Sequence, residues 1–347
     1  MHNSYSSLLS LAAFLYLIAI AVPSNAGDQN EKSIPKTAPI TDDALVMIVM
    51  DPLAAPLSCP CVEGYAQRKY ELLAADMQRS LGKPVAVVWN GSLDIALRQT
   101  KGRADIVIGK DSVIRFDAKK NKLPMVPVAT LTGKDGSKTQ HGLVVVRSDD
   151  PAQELNDLDG YTLMLGTPDA EEKAGAVQQL LKNQKISFNV QKQRYSACSE
   201  AAARLLKLPP GEYAATISSY AAPLLEGCGT IKKGDLRVVG KTAEVPFVNA
   251  YVNASLSAQQ QRAIRGSLIN MISSVDTMLA METLMGFVPY EKPMSWSKVK
   301  TTMRTPVSLN AVAASQREPA PATEPVKKKV TKQDSSATVE LLPLSPR

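Results

Sequence analysis

The fold is decided by residues 70–109, which read YELLAADMQRSLGKPVAVVWNGSLDIALRQTKGRADIVIG. Apolar side chains recur every three to four residues over positions 66–81, at Ala66, Tyr70, Leu73, Met77 and Leu81. This period predicts a helix, and Gly82 stands where a left-handed C-terminal cap is expected. The apolar run 85–89 is typical of a buried strand, and a second helix and strand follow. Such β/α alternation predicts a parallel sheet.

Composition and charge restrict the class of protein. The chain has 347 residues, of which 44% are hydrophobic, enough to form the cores of two lobes. The formal net charge is +7, but Lys and Arg are scattered singly and aromatic residues make up only 5%. We therefore expect no nucleic-acid partner, although a basic surface can steer an anionic ligand or an acidic protein.

The N-terminus has the pattern of an export signal. Residues 8–22 are apolar, and the small residues Ser24 and Ala26 precede Gly27. The pattern predicts a signal peptide over residues 1–26 and a periplasmic mature protein. Because the first seven residues contain no Lys or Arg, an uncleaved anchor or a misassigned start codon stays open as an alternative.

Four cysteines in an exported chain first raise the question of disulfides. They are Cys59, Cys61, Cys198 and Cys228. A bridge between Cys59 and Cys61 would be strained, whereas Cys198 and Cys228 flank one βα segment, so we predict a structural Cys198–Cys228 disulfide. Cys59 and Cys61 are then a thiol pair, a small strained disulfide or a soft-metal site. His141 is the only His after the signal segment, so further metal ligands are scarce and we expect neither a metal nor a cofactor.

Several stretches resemble one known family. Tyr70-Glu71-Leu72-Leu73 and Leu81-Gly82-Lys83-Pro84-Val85, with Gly102 and Asp105 after them, resemble the phosphate/phosphite/phosphonate-type solute-binding proteins of ABC importers. Residues 143–160 and 200–216 are similar to later stretches of the same family, so the resemblance spans residues 51–272. It implies an α/β, two-lobed type II periplasmic-binding-protein-like fold with a hinge and a central cleft.

The order of the βα units predicts how the lobes divide the chain. We expect a flexible leader at 27–43, a first lobe at 44–128, a second lobe at 129–238 and a return to the first lobe at 239–300. The crossings are expected near Pro124–Gly142 and Leu236–Pro246. Residues 301–347 contain few large apolar side chains and are predicted to form a disordered tail.

The resemblance implies a periplasmic solute-binding protein of an ABC importer, a monomer that binds a small molecule in the cleft and delivers it to a permease. An alternative is an accessory protein of the same fold that docks on a quinoprotein-type redox enzyme. The pair of Cys59 and Cys61, the acidic loop 166–172 and the tail favour this alternative. We expect no catalysis, because one mature His supports no Ser/His/Asp set and the chain has no Walker or Rossmann glycine pattern.

Ligands of open α/β sheets bind beyond the carboxyl ends of the strands, where helix N-termini present N–H groups. The loops 52–61, 109–112, 166–172 and 195–200, with residues 218–220 beside them, lie at such ends. The predicted ligand-binding residues are Ser58, Cys59, Lys110, Asp111, Ser112, Thr167, Asp169, Glu171, Ser199, Ser219 and Tyr220.

One of these loops departs from the family. Phosphonate binders carry a Ser-Thr-Ser-type cluster where this chain has Gly166-Thr167-Pro168-Asp169-Ala170-Glu171-Glu172. The carboxylates also suit an ordinary helix start, with Asp169 as N-cap. In a cleft they would repel an anion, so we expect weak or no binding of phosphonate and phosphate. The pocket is instead expected to accept a neutral or cationic group near Glu171, with Lys110 facing it from the other lobe.

Overall fold

The computed structural model describes residues 35–58 and 67–292. The predicted signal peptide, the start of the leader, Cys59, Cys61 and the predicted tail lie outside the described residues. Residues 35–43 lead to the first strand without forming a helix or strand themselves. Within the described ranges, no helix is long and apolar enough to cross a membrane.

The described chain alternates strands and helices. The strands are β1 Leu45–Met50, β2 Val85–Trp89, β3 Ile106–Lys110, β4 Met125–Leu131, β5 Thr139–Gln140, β6 Gly142–Arg147, β7 Thr162–Met164, β8 Asn189–Val190, β9 Tyr213–Ser218, β10 Leu236–Lys241, β11 Val245–Pro246, β12 Val248–Asn253 and β13 Phe287–Pro289. The helices are α1 Tyr70–Leu81, α2 Leu93–Gln99, α3 Asp111–Lys120, α4 Gly175–Asn183, α5 Cys198–Leu205, α6 Ala221–Gly227, α7 Ala258–Ile269 and α8 Val275–Ala280.

The first lobe is built on a sheet with the strand order β13-β4-β12-β3-β1-β2. Strands β1, β2 and β3 are parallel, as predicted, and β12 runs antiparallel to both β3 and β4. All six residues of β1 are buried because side chains alternate between two covered faces. Met47 and Val49 pack in the core that contains α1 and α7, while Val46 and Ile48 pack in the core that contains α2 and α3.

Helix α1 runs from Tyr70 to Leu81 and ends at Gly82, as its sequence predicts. Tyr70, Leu73 and Met77 are buried, and Gly82 closes the helix at φ 63° with its N–H bonded to the carbonyl of Gln78. This left-handed cap suits glycine because glycine carries no Cβ.

The second lobe is built on a sheet with the strand order β10-β6-β9-β7-β8. Strand β6 runs antiparallel to β9 and β10, while β7 is parallel to β9 and β8. One face packs with α5 and α6 around Leu205 and Ile217, and the other packs with α4 around Leu163 and Leu181. The lobes thus have separate cores.

Two crossings connect the sheets and pair with each other. Strand β5 in the first crossing is antiparallel to β11 in the second. Beside this pair, the Gly142 N–H donates to Thr242 Oγ1 at 2.8 Å, and the Thr242 N–H donates to the Gly142 carbonyl at 2.9 Å. We call residues 139–142 and 242–246 the hinge ribbon.

The acidic loop is arranged differently from an ordinary helix start. Asp169 is not the N-cap of α4; residues Glu171–Lys173 form a separate 3-10 turn, and α4 begins at Gly175. The Lys173 carbonyl accepts hydrogen bonds from Gly166 N–H at 3.0 Å and Thr216 Oγ1 at 2.8 Å. These bonds hold the turn against the second-lobe sheet and direct Glu172 into the molecule.

The predicted Cys198–Cys228 disulfide is wrong, since both thiols are free. Cys198 begins α5, and its Sγ accepts a hydrogen bond from Ser218 N–H at 3.3 Å. Cys228 follows α6, and its Sγ lies 3.0 Å from Thr230 Oγ1. Each sulfur therefore has a hydrogen-bond partner of its own.

Candidate ligand-binding site

The carboxyl ends of strands from both lobes meet at the boundary between the sheets. Asp51 follows β1, Lys110 ends β3 and Ser218 ends β9. All three residues are buried. Buried polar side chains thus lie at the strand ends, which is where the strand-end rule expects a ligand.

A buried ionic cluster anchors the loop after β1. The Asp51 carboxylate accepts hydrogen bonds from Arg68 Nη1 at 2.8 Å and from Tyr70 Oη at 2.7 Å. Its other oxygen accepts from Leu53 N–H at 3.0 Å. Burial and the Asp51 charge raise the pKa of Tyr70, so its hydroxyl remains a donor. This cluster was missed by the sequence prediction.

An aromatic stack continues from this cluster across the lobe boundary. The Arg68 guanidinium lies 5.9 Å from the centroid of the Phe247 ring, and Phe247 stacks on Tyr220. Tyr220 was predicted to contact a ligand, whereas Phe247 was not. Burial raises the pKa of Tyr220 well above its usual value.

Lys110 and Glu172 form an ion pair between the two lobes. Lys110 Nζ donates to Glu172 Oε1 at 2.5 Å, and Ser218 Oγ donates to the same oxygen at 2.5 Å. Glu172 is fully buried and Lys110 is 6% exposed. Desolvation lowers the pKa of Lys110 and nearby Lys173 lowers it further, while the Glu172 carboxylate opposes this shift. We name these three residues the Lys110–Glu172–Ser218 cluster.

Glu171 does not face Lys110, contrary to the sequence prediction. Its carboxylate accepts from Arg115 Nη2 at 2.7 Å, on a more exposed side of the turn. The Glu171 N–H donates to Ser112 Oγ at 3.3 Å, which ties the turn to the start of α3. Lys110 therefore faces the neighbouring residue, Glu172.

Asp111 points away from the cleft and into the first lobe. Its carboxylate accepts from Asn249 Nδ2 at 2.7 Å, Tyr251 Oη at 2.5 Å and Arg115 Nε at 2.8 Å. Burial, followed by the Asp111 charge, raises the pKa of Tyr251. These bonds occupy both oxygens of Asp111, which makes it a structural anchor.

A cavity between the lobes has a volume of about 560 Å³. It is lined by Arg68 and Phe247 from the first lobe and by Ser219 and Tyr220 from the second. Gln140 of the hinge ribbon is 2% exposed, and neither of its amide atoms has a hydrogen-bond partner in the described protein. We call this space the hinge cavity. Gln140 gave no signal in the sequence because a single Gln in an extended segment is unremarkable.

The other predicted residues fall into two further places. Ser58 and Ser199 line a neighbouring cavity of about 220 Å³, together with Tyr220, Cys198 and Cys228. Asp169 lines an outer cavity of about 430 Å³ with Ser112, Arg115 and Glu171. Thr167 uses its carbonyl to accept a hydrogen bond from Ala170 N–H. Cys59 lies outside the described residues.

The described residues contain no group of three or more His, Cys, Asp and Glu side chains arranged to hold a metal ion. Cys59 and Cys61, for which a soft-metal site was one of three alternatives, are not among these residues.

The geometry agrees with what comparisons with known proteins find. Residues 64–294 match the family model described as ABC transporter, phosphonate, periplasmic substrate-binding protein, which is more than half of the chain. The chain belongs to this family. The predicted role as a solute-binding protein of an ABC importer is thereby confirmed, and the alternative beside a redox enzyme gains no support. No curated protein matches the chain.

Solved structures of similar fold include three binding proteins. XAC2383 from Xanthomonas citri, bound to ATP, is 17% identical at a TM-score of 0.54, covering 72% of this chain and 92% of that one. A binding protein component of an ABC phosphonate transporter from Pseudomonas aeruginosa is 13% identical at a TM-score of 0.53. The match covers 71% of this chain and 81% of that one. PhnD1 from Prochlorococcus marinus, in complex with methylphosphonate, is 11% identical at a TM-score of 0.51. The match covers 72% of this chain and 93% of that one. These similarities confirm the two-lobed type II periplasmic-binding-protein fold.

Proposed function

We propose that this member of the phosphonate-type family is the periplasmic receptor of an ABC importer and that its solute binds in the hinge cavity. The observation that carries the proposal is a buried amide without a partner in a cavity between two lobes. The cavity volume of about 560 Å³ suits a small molecule.

Gln140 supports a specific kind of contact. An unbonded buried amide loses its hydration without compensation, so native proteins seldom leave one without a partner. Its carbonyl accepts and its NH₂ donates, so it complements a hydroxyl or carboxamide. Nε of Arg68, which also lines the cavity and has no partner in the described protein, offers a further donor.

The charged residues that line the cavity are Arg68, Lys134, Asp135, Glu244 and Glu282. Carboxylates outnumber cations among them, so a neutral or amine-bearing solute fits better than an anion. The Arg68 charge is compensated by Asp51 at 2.8 Å, so the guanidinium is not a free cation. The Tyr220–Phe247 stack presents an aromatic face, against which an apolar ring or chain packs. We infer a small neutral solute that combines an apolar body with a hydroxyl or amide group. A solute carrying an amine fits the expectation from the acidic turn.

The names of the relatives suggest other ligands for comparison. PhnD1 from Prochlorococcus marinus is in complex with methylphosphonate, and XAC2383 is bound to ATP. At 11% and 17% identity these ligands do not transfer to this chain, so they serve as reference compounds.

The remaining parts of the proposal concern the context of the receptor. Residues 1–26 direct export and are removed, and residues 27–43 link the mature N-terminus to the first lobe. Within the described residues, the proposed lobes comprise 44–128 with 239–292, and 129–238. The mature protein acts as a non-catalytic monomer that docks on an ABC permease.

The test uses the mature protein, residues 27–347. A thermal-shift screen of polyols, carboxamides, amines, methylphosphonate, phosphate and ATP is followed by calorimetry of each hit. We expect a neutral or amine-bearing compound to bind, and Gln140→Leu to weaken it by about tenfold, equivalent to about 1.4 kcal/mol.

Gln178→Leu is the matched control because Gln178 is exposed on α4, away from the hinge cavity. It should leave affinity unchanged. A screen without any bound solute, or a hit that binds Gln140→Leu as tightly as the unmodified protein, would contradict the proposal.

A further inference from the structure

The Lys110–Glu172–Ser218 cluster has the composition of an anion-binding site. Lys110 ends strand β3 directly before helix α3, and Ser218 ends strand β9, so both donors lie at strand ends in opposite lobes. An ammonium and a hydroxyl converge on one oxygen, each at 2.5 Å. Charge-assisted hydrogen bonds of this kind hold carboxylates and phosphates in proteins. Here the anion is a side chain of the protein.

The position of the Glu172 carboxylate is enforced by its backbone. The 3-10 turn lies so close to β6 that a Cβ on Gly142 would be 2.0 Å from the Glu172 carbonyl oxygen. The next residue, Lys173, is 3% exposed, and its Nζ donates to the Ser196 carbonyl at 2.6 Å. Contacts on both sides of Glu172 therefore keep its side chain directed at Lys110.

From this arrangement we infer that Glu172 is a built-in anion, which occupies the place of a solute's acidic group and makes the cleft reject phosphonate, phosphate and carboxylate ligands. The inference rests on the proposed receptor function and deepens it by defining the class of solute.

Charge explains why an external anion does not displace Glu172. A phosphonate at Lys110 would lie beside a buried carboxylate that has lost its partner, and like charges in a dry site repel strongly. The second carboxylate oxygen, Glu172 Oε2, is buried and has no hydrogen-bond partner in the described protein, so Glu172 keeps an unused acceptor beside Lys110.

The decisive variant is Glu172→Ala, which removes the carboxylate and leaves Lys110 and Ser218 in place. In calorimetry and thermal-shift titrations of the mature protein, acetate, phosphate and methylphosphonate should bind this variant at least about tenfold more tightly than the unmodified protein. The melting temperature of the variant should rise with anion concentration and level off.

Three comparison variants separate this effect from general electrostatics. Glu172→Gln keeps the volume of the side chain, so its gain in anion affinity should be smaller than that of Glu172→Ala. The double variant Lys110→Met/Glu172→Ala lacks the ammonium and should lose the gain. Glu212→Ala removes one exposed carboxylate of the second lobe and should behave like the unmodified protein.

The outcomes distinguish the two proposals. Micromolar binding of methylphosphonate to the unmodified protein would overturn the role of Glu172 and leave the receptor function intact; this measurement needs no variant to fold. A folded Glu172→Ala protein that binds none of the anions would also overturn it. If no neutral or amine-bearing solute binds while Glu172→Ala gains anion affinity, the hinge-cavity proposal fails and the built-in anion stands.

Discussion

The rings of Tyr220 and Phe247 stack across the boundary between the lobes, with their centroids 4.9 Å apart and their planes inclined by 19°. Tyr220 follows β9 of the second lobe, and Phe247 lies between β11 of the hinge ribbon and β12 of the first lobe. This contact connects the two sheets next to the hinge cavity. It is therefore a direct probe of whether the lobes remain together in solution.

The stack should appear as a coupling energy in a double-mutant cycle. With Tyr220→Leu, Phe247→Leu and the double variant, urea unfolding should give a coupling of about 0.5–1.5 kcal/mol, the range for aromatic pairs. As a control, Phe188 packs in a core of the second lobe, and Phe188→Leu should be additive with Phe247→Leu. A coupling of zero for the stacked pair would show that the lobes are apart in solution.

Replacing Gly142 by Ala should destabilise the protein by about 1–3 kcal/mol, as for other overpacked sites. The added Cβ would meet the Glu172 carbonyl oxygen at 2.0 Å, and this backbone atom has little room to move. Gly91→Ala is the control, because nothing lies within 4 Å of its Cβ position. Denaturant unfolding of both variants measures the difference, and equal stabilities would refute the close packing of the turn.

Loss of the Asp51 carboxylate should be severe. Asp51→Ala leaves Arg68 as a buried cation without its partner, and such changes destabilise proteins by about 3–5 kcal/mol. Asp94 pairs with Arg98 on the surface of α2, so Asp94→Ala should change the free energy of unfolding by less than about 1 kcal/mol. Similar effects of the two variants, measured by urea unfolding, would contradict the buried cluster.

The two described thiols should differ in reactivity. Cys198 is 9% exposed and bonded to Ser218, whereas Cys228 is partly exposed at the end of α6. Iodoacetamide should label Cys228 in the native protein and Cys198 only after unfolding, as read by peptide mass spectrometry. The same mapping without reductant should give no Cys198–Cys228 peptide. Recovery of that peptide would restore the disulfide predicted from the sequence.

Local sequence signals were sufficient for the helices and strands of residues 70–109. Helix α1 follows from a 3.6-residue period and the cap at Gly82, and both are present in the structure. Strand β2 follows from the uninterrupted apolar run 85–89 because the first-lobe sheet is covered on both faces. These signals lie within a few residues of the features that they predict.

The site depends on contacts that are distant in sequence. Lys110 and Glu172 are 62 positions apart, and no local pattern decides whether Glu171 or Glu172 turns toward Lys110. That choice depends on the 3-10 turn, which Thr216 and Gly142 hold from two other strands. The cysteine prediction failed for a related reason, because spacing along the chain does not show where each Sγ points.

The hinge ribbon affects the entropy of ligand capture. Two independent single strands would allow the lobes to swing and twist separately, and binding would have to remove that freedom. Pairing of β5 with β11, with the two Gly142–Thr242 hydrogen bonds beside it, ties the two connections to each other, so we expect them to bend together. Closure then immobilises few additional degrees of freedom, so more of the contact energy in the cavity remains available as solute affinity.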